Sequence, residues 1–209
     1  MPPTRRRPTD DQLLDAARVV FAASGYRRAS MEAIAREANS TKPTLYAHFG
    51  SKEELFGRLF RREADIMEAA LLPVYADLPG RPLREMLEVA LGAAVRYGLA
   101  HPEGARVVAI AINGRGPEPT LGRALLERLI DAIAGVVEET LRREGRDPGP
   151  LGRMIAAMIW GAAIEATRVA HTMGVATPEL VEWQIIYLLG GLEAALAHAL
   201  DGGRPPLAD

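Results

Sequence analysis

Between Thr41 and Lys52 the chain sets hydroxyl, ammonium, phenol and imidazole groups close together. They are Thr41, Lys42, Thr44, Tyr46, His48 and Lys52, with Pro43 among them and Ser30 a little upstream. These groups donate hydrogen bonds or carry positive charge, which is the chemistry that meets phosphate oxygens and base edges. At the start of a helix, Lys42 can reach a guanine edge or a phosphate. Thr44 can bond a base edge or touch a thymine methyl, and Pro43 offers an apolar surface to the same methyl. Tyr46 and His48 suit phosphate oxygens. Lys52 adds its charge to the positive end of the helix it begins, a ready phosphate site. Ser30 and Thr41 can cap helices and contact phosphates at once. Lys42 and Lys52 are also the only lysines in the chain of 209 residues.

Such groups need a rigid helix pair to aim them. From Ser30, a predicted N-cap, to about Ala38, an amphipathic helix turns Met31, Ile34, Ala35 and Ala38 inward. The chain must then turn, and Asn39 is the best non-glycine residue for a left-handed conformation. Thr41 predicts the N-cap of a second short helix, with Pro43 in a first turn whose amides have no intrahelical partner. Leu45 and Phe49 face inward and Gly50 ends it. Ser51 and Glu54 form an S-x-x-E capping box for a long helix from about Lys52 to Tyr75. Upstream, Thr9 and Gln12 box the start of a helix that Gly25 ends. Helix pairs of this size, with basic and hydroxyl groups at the tip of the second member, enter the DNA major groove.

The rest of the chain reads as helices over about 83–99, 101–112, up to about 143, 151–173 and 178–200, separated by Pro- and Gly-rich breaks. No segment carries a strand period of useful length. The expected fold is therefore all-α, about nine helices. It divides into a basic arm (1–9), a three-helix helix-turn-helix domain (10–56), a helical ligand-binding and dimerisation domain (57–203) and a tail (204–209).

Charge supports this division. Residues 1–62 hold 12 Lys/Arg against 7 Asp/Glu, while residues 63–209 hold 13 against 20. A basic end on an acidic body implies that one end meets a polyanion. Arg5, Arg6 and Arg7 read either as an arm that follows a minor groove or as a solvated tail.

Several classes are disfavoured. With no cysteine there is no disulfide framework, thiolate nucleophile or Cys-type zinc site. Every serine and lysine lies at or before residue 52, and His101, His171 and His198 are scattered without metal spacing, so neither an enzyme nor a metal site is expected. No cofactor is expected. The longest apolar run, Met154–Ile164, is 11 residues, too short to span a bilayer. With no apolar leader at the N-terminus, the expected location is the cytoplasm.

The last two helices are apolar nearly all the way round over 154–166 and 185–200. Such helices must be covered on every side, which predicts an isologous dimer with a four-helix interface. The small or apolar residues Gly161, Ala162, Ala166, Leu189, Gly190 and Ala194 are its expected contacts, the alternative being a thick monomeric core. Candidate ligand contacts are Met67, Met86, Tyr97, Ile110, Asn113, Met154, Met158 and Glu165, with Leu91, Val95, Leu126, Ile130 and Trp160 as further apolar liners and Arg168 and His171 as further polar groups. Methionines suit a pocket that adapts its shape. Glu165 also reads as the partner of Arg168, in one helix or across the dimer. A cavity of roughly 300 Å³ or more would set an effector-binding regulator apart from an architectural DNA-binding protein.

Residues 10–56 resemble the DNA-binding domain of the TetR family of transcriptional regulators. The resemblance is carried by Leu14-Asp15-Ala16-Ala17, Phe21, Gly25-Tyr26, Ser30-Met31, Ile34-Ala35 and Ala38. It is strongest in Lys42 to Phe49 followed by Ser51-Lys52-Glu53-Glu54-Leu55. It implies a homodimer that binds a palindromic operator, as a repressor, and lets go when a small apolar or amphipathic molecule enters the second domain. It also implies phosphate contacts by Tyr46, His48 and Lys52 and base contacts around Lys42–Thr44. The family commonly has Gly-Val-Ser at the turn where this chain has Asn39-Ser40-Thr41.

Overall fold

A computed structural model describes residues 8–143, 145, 147, 149–174 and 177–200. Arg5–Arg7 and the tail from 204 lie outside them. The described residues form nine helices and no strand: α1 (Asp10–Arg28), α2 (Met31–Glu37), α3 (Lys42–Phe49), α4 (Lys52–Ala76), α5 (Leu83–Ala100), α6 (Pro102–Ile112), α7 (Pro119–Arg143), α8 (Leu151–Met173) and α9 (Thr177–Leu200). The chain folds as two compact units. Among the described residues, one spans 8–70 and 99–129, the other 71–98 and from 130 to 200.

In the first unit the helix starts follow from single side chains. Thr9 Oγ1 accepts from Gln12 N (3.3 Å) while Gln12 Oε1 accepts from Thr9 N (3.0 Å), a complete capping box. Ser30 and Thr41 cap α2 and α3 through bonds to the amides of Ala33 and Thr44. At α4 only half the expected box forms. Ser51 Oγ accepts from Glu54 N (3.0 Å), but Ser51 N donates to the Phe49 carbonyl (2.8 Å). Gly25, at φ 73°, breaks α1 as expected, yet one further turn follows it to Arg28. The turn after α2 forms without glycine: Asn39 adopts φ 47°, Ser40 N donates to Ala35 O (2.8 Å) and Asn39 N to Arg36 O (3.1 Å). This double closure satisfies the last carbonyls of α2.

The core of this unit joins Leu13, Phe21, Ile34, Leu45, Phe49, Leu55, Leu59, Val107, Val108, Leu125 and Leu129, all essentially inaccessible. α1 packs on α2 and α6, and α2 on α3. One carboxylate enters the core. Glu63 is 1% exposed, with Oε1 3.0 Å from Arg62 and 3.7 Å from Arg18. The two guanidinium groups offset the cost of burying it. Gly104 lies over its other oxygen, where a side chain would collide. In the second unit, the apolar faces of α5, α7 and α8 meet around Leu91, Ile133, Ile155 and Ala156, and α8 packs on α9.

α6 and α7 approach closely at Gly122. A methyl group there would overlap the Ala111 carbonyl of α6 and lie 2.6 Å from Ile112 N. Backbone cannot yield as a side-chain tip can. Gly122→Ala should therefore cost about 1–3 kcal/mol, read as a lower urea midpoint at unchanged slope. Gly135→Ala in the same helix meets nothing within 4 Å and is the control, with a gain of about 0.5–1 kcal/mol. Equal midpoints for the two variants would show that α6 and α7 separate at no cost.

Candidate nucleic-acid interface and ligand cavity

α3 is too short to be stable alone, and two side chains seat it. Leu45 is fully buried and Phe49 is 1% exposed. With that face inward, Lys42, Pro43 and Tyr46 are exposed and Thr44 and His48 half-buried along the outer side. Ser30, Thr41, Lys42, Pro43, Thr44, Tyr46, His48 and Lys52 all lie in the first compact unit. The Thr41 and Thr44 hydroxyls are 2.8 Å apart, so Thr44 is tethered to the cap that starts its own helix.

Every cationic or imidazole group on this list has a partner within the chain. The Lys42 ammonium pairs with the Glu32 carboxylate in the first turn of α2 and lies 5.9 Å from the centre of the Tyr46 ring. The hydrogen bond between them lowers the Glu32 carboxyl pKa and raises that of Lys42. His48 Nδ1 lies 2.5 Å from Asp10 Oδ1, and Arg58 approaches the other oxygen of Asp10 at 3.5 Å. Lys52 stands over the Tyr26 ring, 4.4 Å from its centre. That ring is held on both sides. Its hydroxyl donates to Glu53 (2.8 Å), and it packs against Phe21 and Phe56. Burial, then the bond to Glu53, pushes the Tyr26 hydroxyl far above its ordinary pKa, so it remains a donor.

Asp10, Tyr26, Glu32 and Arg58 thus belong to the face, though no spacing rule singles them out. Tyr26 is among the residues that carry the family resemblance, but as a pattern residue without a role. The acidic partners are signalled only by their place in first helical turns, where acids are common anyway.

The second unit holds an apolar cavity of about 70 Å³. It is lined from α4, α5, α7 and α8 by residues that include Tyr75, Met86, Leu91, Val136, Thr140 and Trp160. Of the candidate ligand contacts only Met86 is there; of the further apolar liners Leu91 and Trp160 are there, and Val95, Leu126 and Ile130 are not. His171 lies outside the residues whose side chains are described. Met67 and Ile110 lie in the other unit, and Tyr97 is buried away from the cavity. Asn113 caps α6 by donating to Ala109 O (2.8 Å). Met154 and Met158 are 56% and 58% exposed. Glu165 pairs with Arg168 on the surface of α8. An i,i+3/i+4 stripe on α7 (Ile133, Val136, Val137, Thr140) was the available signal for the wall. The volume falls short of the roughly 300 Å³ of a drug-sized site, so larger ligands require the walls to part.

α8 and α9 leave large apolar side chains in solvent: Met154, Met158, Met173, Trp183 and Tyr187, the last two 64% and 74% exposed. Gly161 and Gly190 are also exposed, and an added methyl at either would meet nothing within 4 Å. Ala162, Ala166 and Leu189 are half-buried, and Ala194 lies outside the residues whose side chains are described. Among the described residues no helix is long and apolar enough to cross a membrane, and no acidic or histidine cluster could hold a metal.

Residues 13–59 match the family described as bacterial regulatory proteins, tetR family. The chain is 28% identical to the HTH-type transcriptional activator FasR of Mycolicibacterium smegmatis over 192 residues, covering 90% of this chain and 85% of that one. It is 32% identical to the HTH-type transcriptional regulator TcmR of Streptomyces glaucescens over 151 residues, 72% of this chain and 60% of that one. A TetR-like transcriptional regulator from Rhodococcus sp. RHA1 has a similar structure (TM-score 0.73, 28% identity), with 90% of this chain and 99% of that one covered.

Replacing Glu32 with Gln removes the counter-ion of Lys42 and leaves the fold untouched. The expected outcome is about two- to tenfold tighter binding to DNA of arbitrary sequence at low salt, with a steeper salt dependence, since a freed lysine can neutralise one more phosphate. Fluorescence anisotropy against salt concentration measures both. Unchanged curves would mean that Glu32 does not restrain Lys42 in solution.

Proposed function

We propose, from the premise that this chain belongs to the TetR family of bacterial regulatory proteins, that it is a homodimeric, cytoplasmic repressor that a small molecule releases from a palindromic operator. The observation that carries the reading is the outer side of α3, where hydroxyls, a lysine and a tyrosine surround an exposed proline on a seated helix. In this reading Lys42, Pro43 and Thr44 read base edges. Tyr46, His48, Lys52, Ser30 and Thr41 grip phosphates and set the register. Phosphates displace Asp10 from His48, and Lys52 arrives already positioned by Tyr26.

Exposed apolar groups on α8 and α9 support self-association, because a patch of that kind is a liability unless another surface covers it. Gly161 and Gly190 are uncrowded within one chain, so their small size suits a close approach from outside it. Two recognition helices must then sit about 34–36 Å apart, one turn of B-DNA. The effector in this reading is small and apolar or amphipathic, and it acts only through unequal affinity for the bound and released states. α4 carries Lys52 at its start and the cavity residue Tyr75 near its end, so one helix takes part in both events. FasR is named an activator, so repression is the part of the reading that a promoter–reporter assay decides.

Selection of bound sequences from random DNA should enrich a palindrome, and an absence of enrichment would refute the operator reading. Tyr46→Ala and Lys52→Ala should weaken binding about equally across sequences, Lys52→Ala lowering the salt slope by about one, whereas Thr44→Ala should change the enriched sequence. Tyr187→Glu should yield a monomer in sedimentation at micromolar concentration, and a dimer that survives it removes α9 from the interface.

A further inference from the structure

The cavity of the second unit has a chemistry of its own. Its sixteen lining residues, from Tyr75 through Ala163, include no Asp, Glu, Lys, Arg or His. Three of them carry a conventional hydrogen-bonding side chain. The Thr140 hydroxyl already donates to Val136 O (2.9 Å) and lies 3.8 Å from the Met86 sulfur. Trp160 offers an indole N–H, which can only donate. Tyr75 is 2% exposed, and its hydroxyl has no hydrogen-bond partner among the described residues. Burial pushes that hydroxyl up to about 12, so it stays a neutral donor under all ordinary conditions.

The Tyr75 hydroxyl is not among the fully inaccessible unpartnered side-chain atoms, so a guest in the cavity can reach it and accept its hydrogen bond. A wall with no charge and three neutral hydrogen-bonding side chains, of which Tyr75 and Trp160 still have a proton to donate, selects its guest by default. An ionised carboxylate or ammonium would shed its water and find no counter-charge, a penalty far larger than any gain from the surrounding hydrocarbon. A pure hydrocarbon would fill space and leave Tyr75 unsatisfied. A carbonyl or ether oxygen on an apolar skeleton meets both demands. Met86 forms part of the wall, and an unbranched thioether side chain can shift to admit a skeleton larger than the resting space.

We propose that this cavity binds an uncharged, predominantly hydrocarbon molecule whose carbonyl or ether oxygen accepts from the Tyr75 hydroxyl, and that it excludes the same skeleton ending in a carboxylate or an ammonium. This deepens the effector reading above and rests on it for biological meaning, but not for its test. The full chain, without DNA, is titrated calorimetrically with 2-octanone, methyl heptanoate, heptanoate, octylammonium and octane.

The two neutral acceptors should bind at least tenfold more tightly than heptanoate or octylammonium. Tyr75→Phe should weaken 2-octanone by about five- to thirtyfold, the worth of one neutral hydrogen bond in a buried site. It should leave octane nearly unchanged. Heptanoate binding as tightly as 2-octanone, 2-octanone indifferent to Tyr75→Phe, or no neutral acceptor binding up to its solubility limit would each overturn the proposal. The palindrome selected from random DNA would stand in all three cases, so failure here is distinct from failure of the regulator reading.

Discussion

The burial of Leu45 and Phe49 is the constraint on which the proposed DNA-facing surface depends. An eight-residue helix has no stability of its own in water, because nucleation costs more than so few hydrogen bonds return. α3 exists because those two side chains are withdrawn from solvent, Leu45 fully and Phe49 almost so. Their spacing decides which way the helix rolls, and therefore that Lys42, Pro43 and Tyr46 face outward. The caps at Thr41 and Gly50 set where the helix starts and stops. Asn39, in its left-handed conformation, sets the direction from which it leaves α2. A shift of one residue in either anchor would rotate every donor on the outer face by about 100°.

The same surface manages its own charge. Three groups suited to phosphate stand ready, and each is held by a neighbour: Lys42 by Glu32, His48 by Asp10, Lys52 by the Tyr26 ring. Exposed ion pairs of this kind contribute little to stability. Their effect is to fix side-chain directions and to make an incoming anion compete for the cation. Tyr26 differs from the other two holders. It is tied to Glu53 and packed against Phe21 and Phe56, so the position of Lys52 is linked to the aromatic core of the unit.

The second unit follows the opposite rule. Its cavity is nearly free of polar groups, and the few it has are uncharged. Where the first unit offers charge to the outside, the second keeps charge away from its interior. Glu165 and Arg168, the polar pair on the otherwise apolar stretch of α8, neutralise each other on the surface.

Local signals determined much of this protein. Capping residues, helix-stopping glycines and the period of buried residues place most helix ends to within a residue or two, though α1 runs one turn past Gly25 to Arg28. The motif from Lys42 to Leu55 states the family without any coordinates. Helices and caps are decided by neighbours three or four residues apart, so a single sequence contains them. The cavity and the charge pairs that join different helices were not legible in that way. Met154 and Met158 looked like pocket residues because they are flexible and apolar, yet they face solvent, while Tyr75 and Thr140 line the cavity. Which side of an all-apolar helix turns inward depends on the helices it meets, and no period marks it. Asp10 reaches His48 across 38 positions and Glu53 reaches Tyr26 across 27, distances that only the tertiary fold closes.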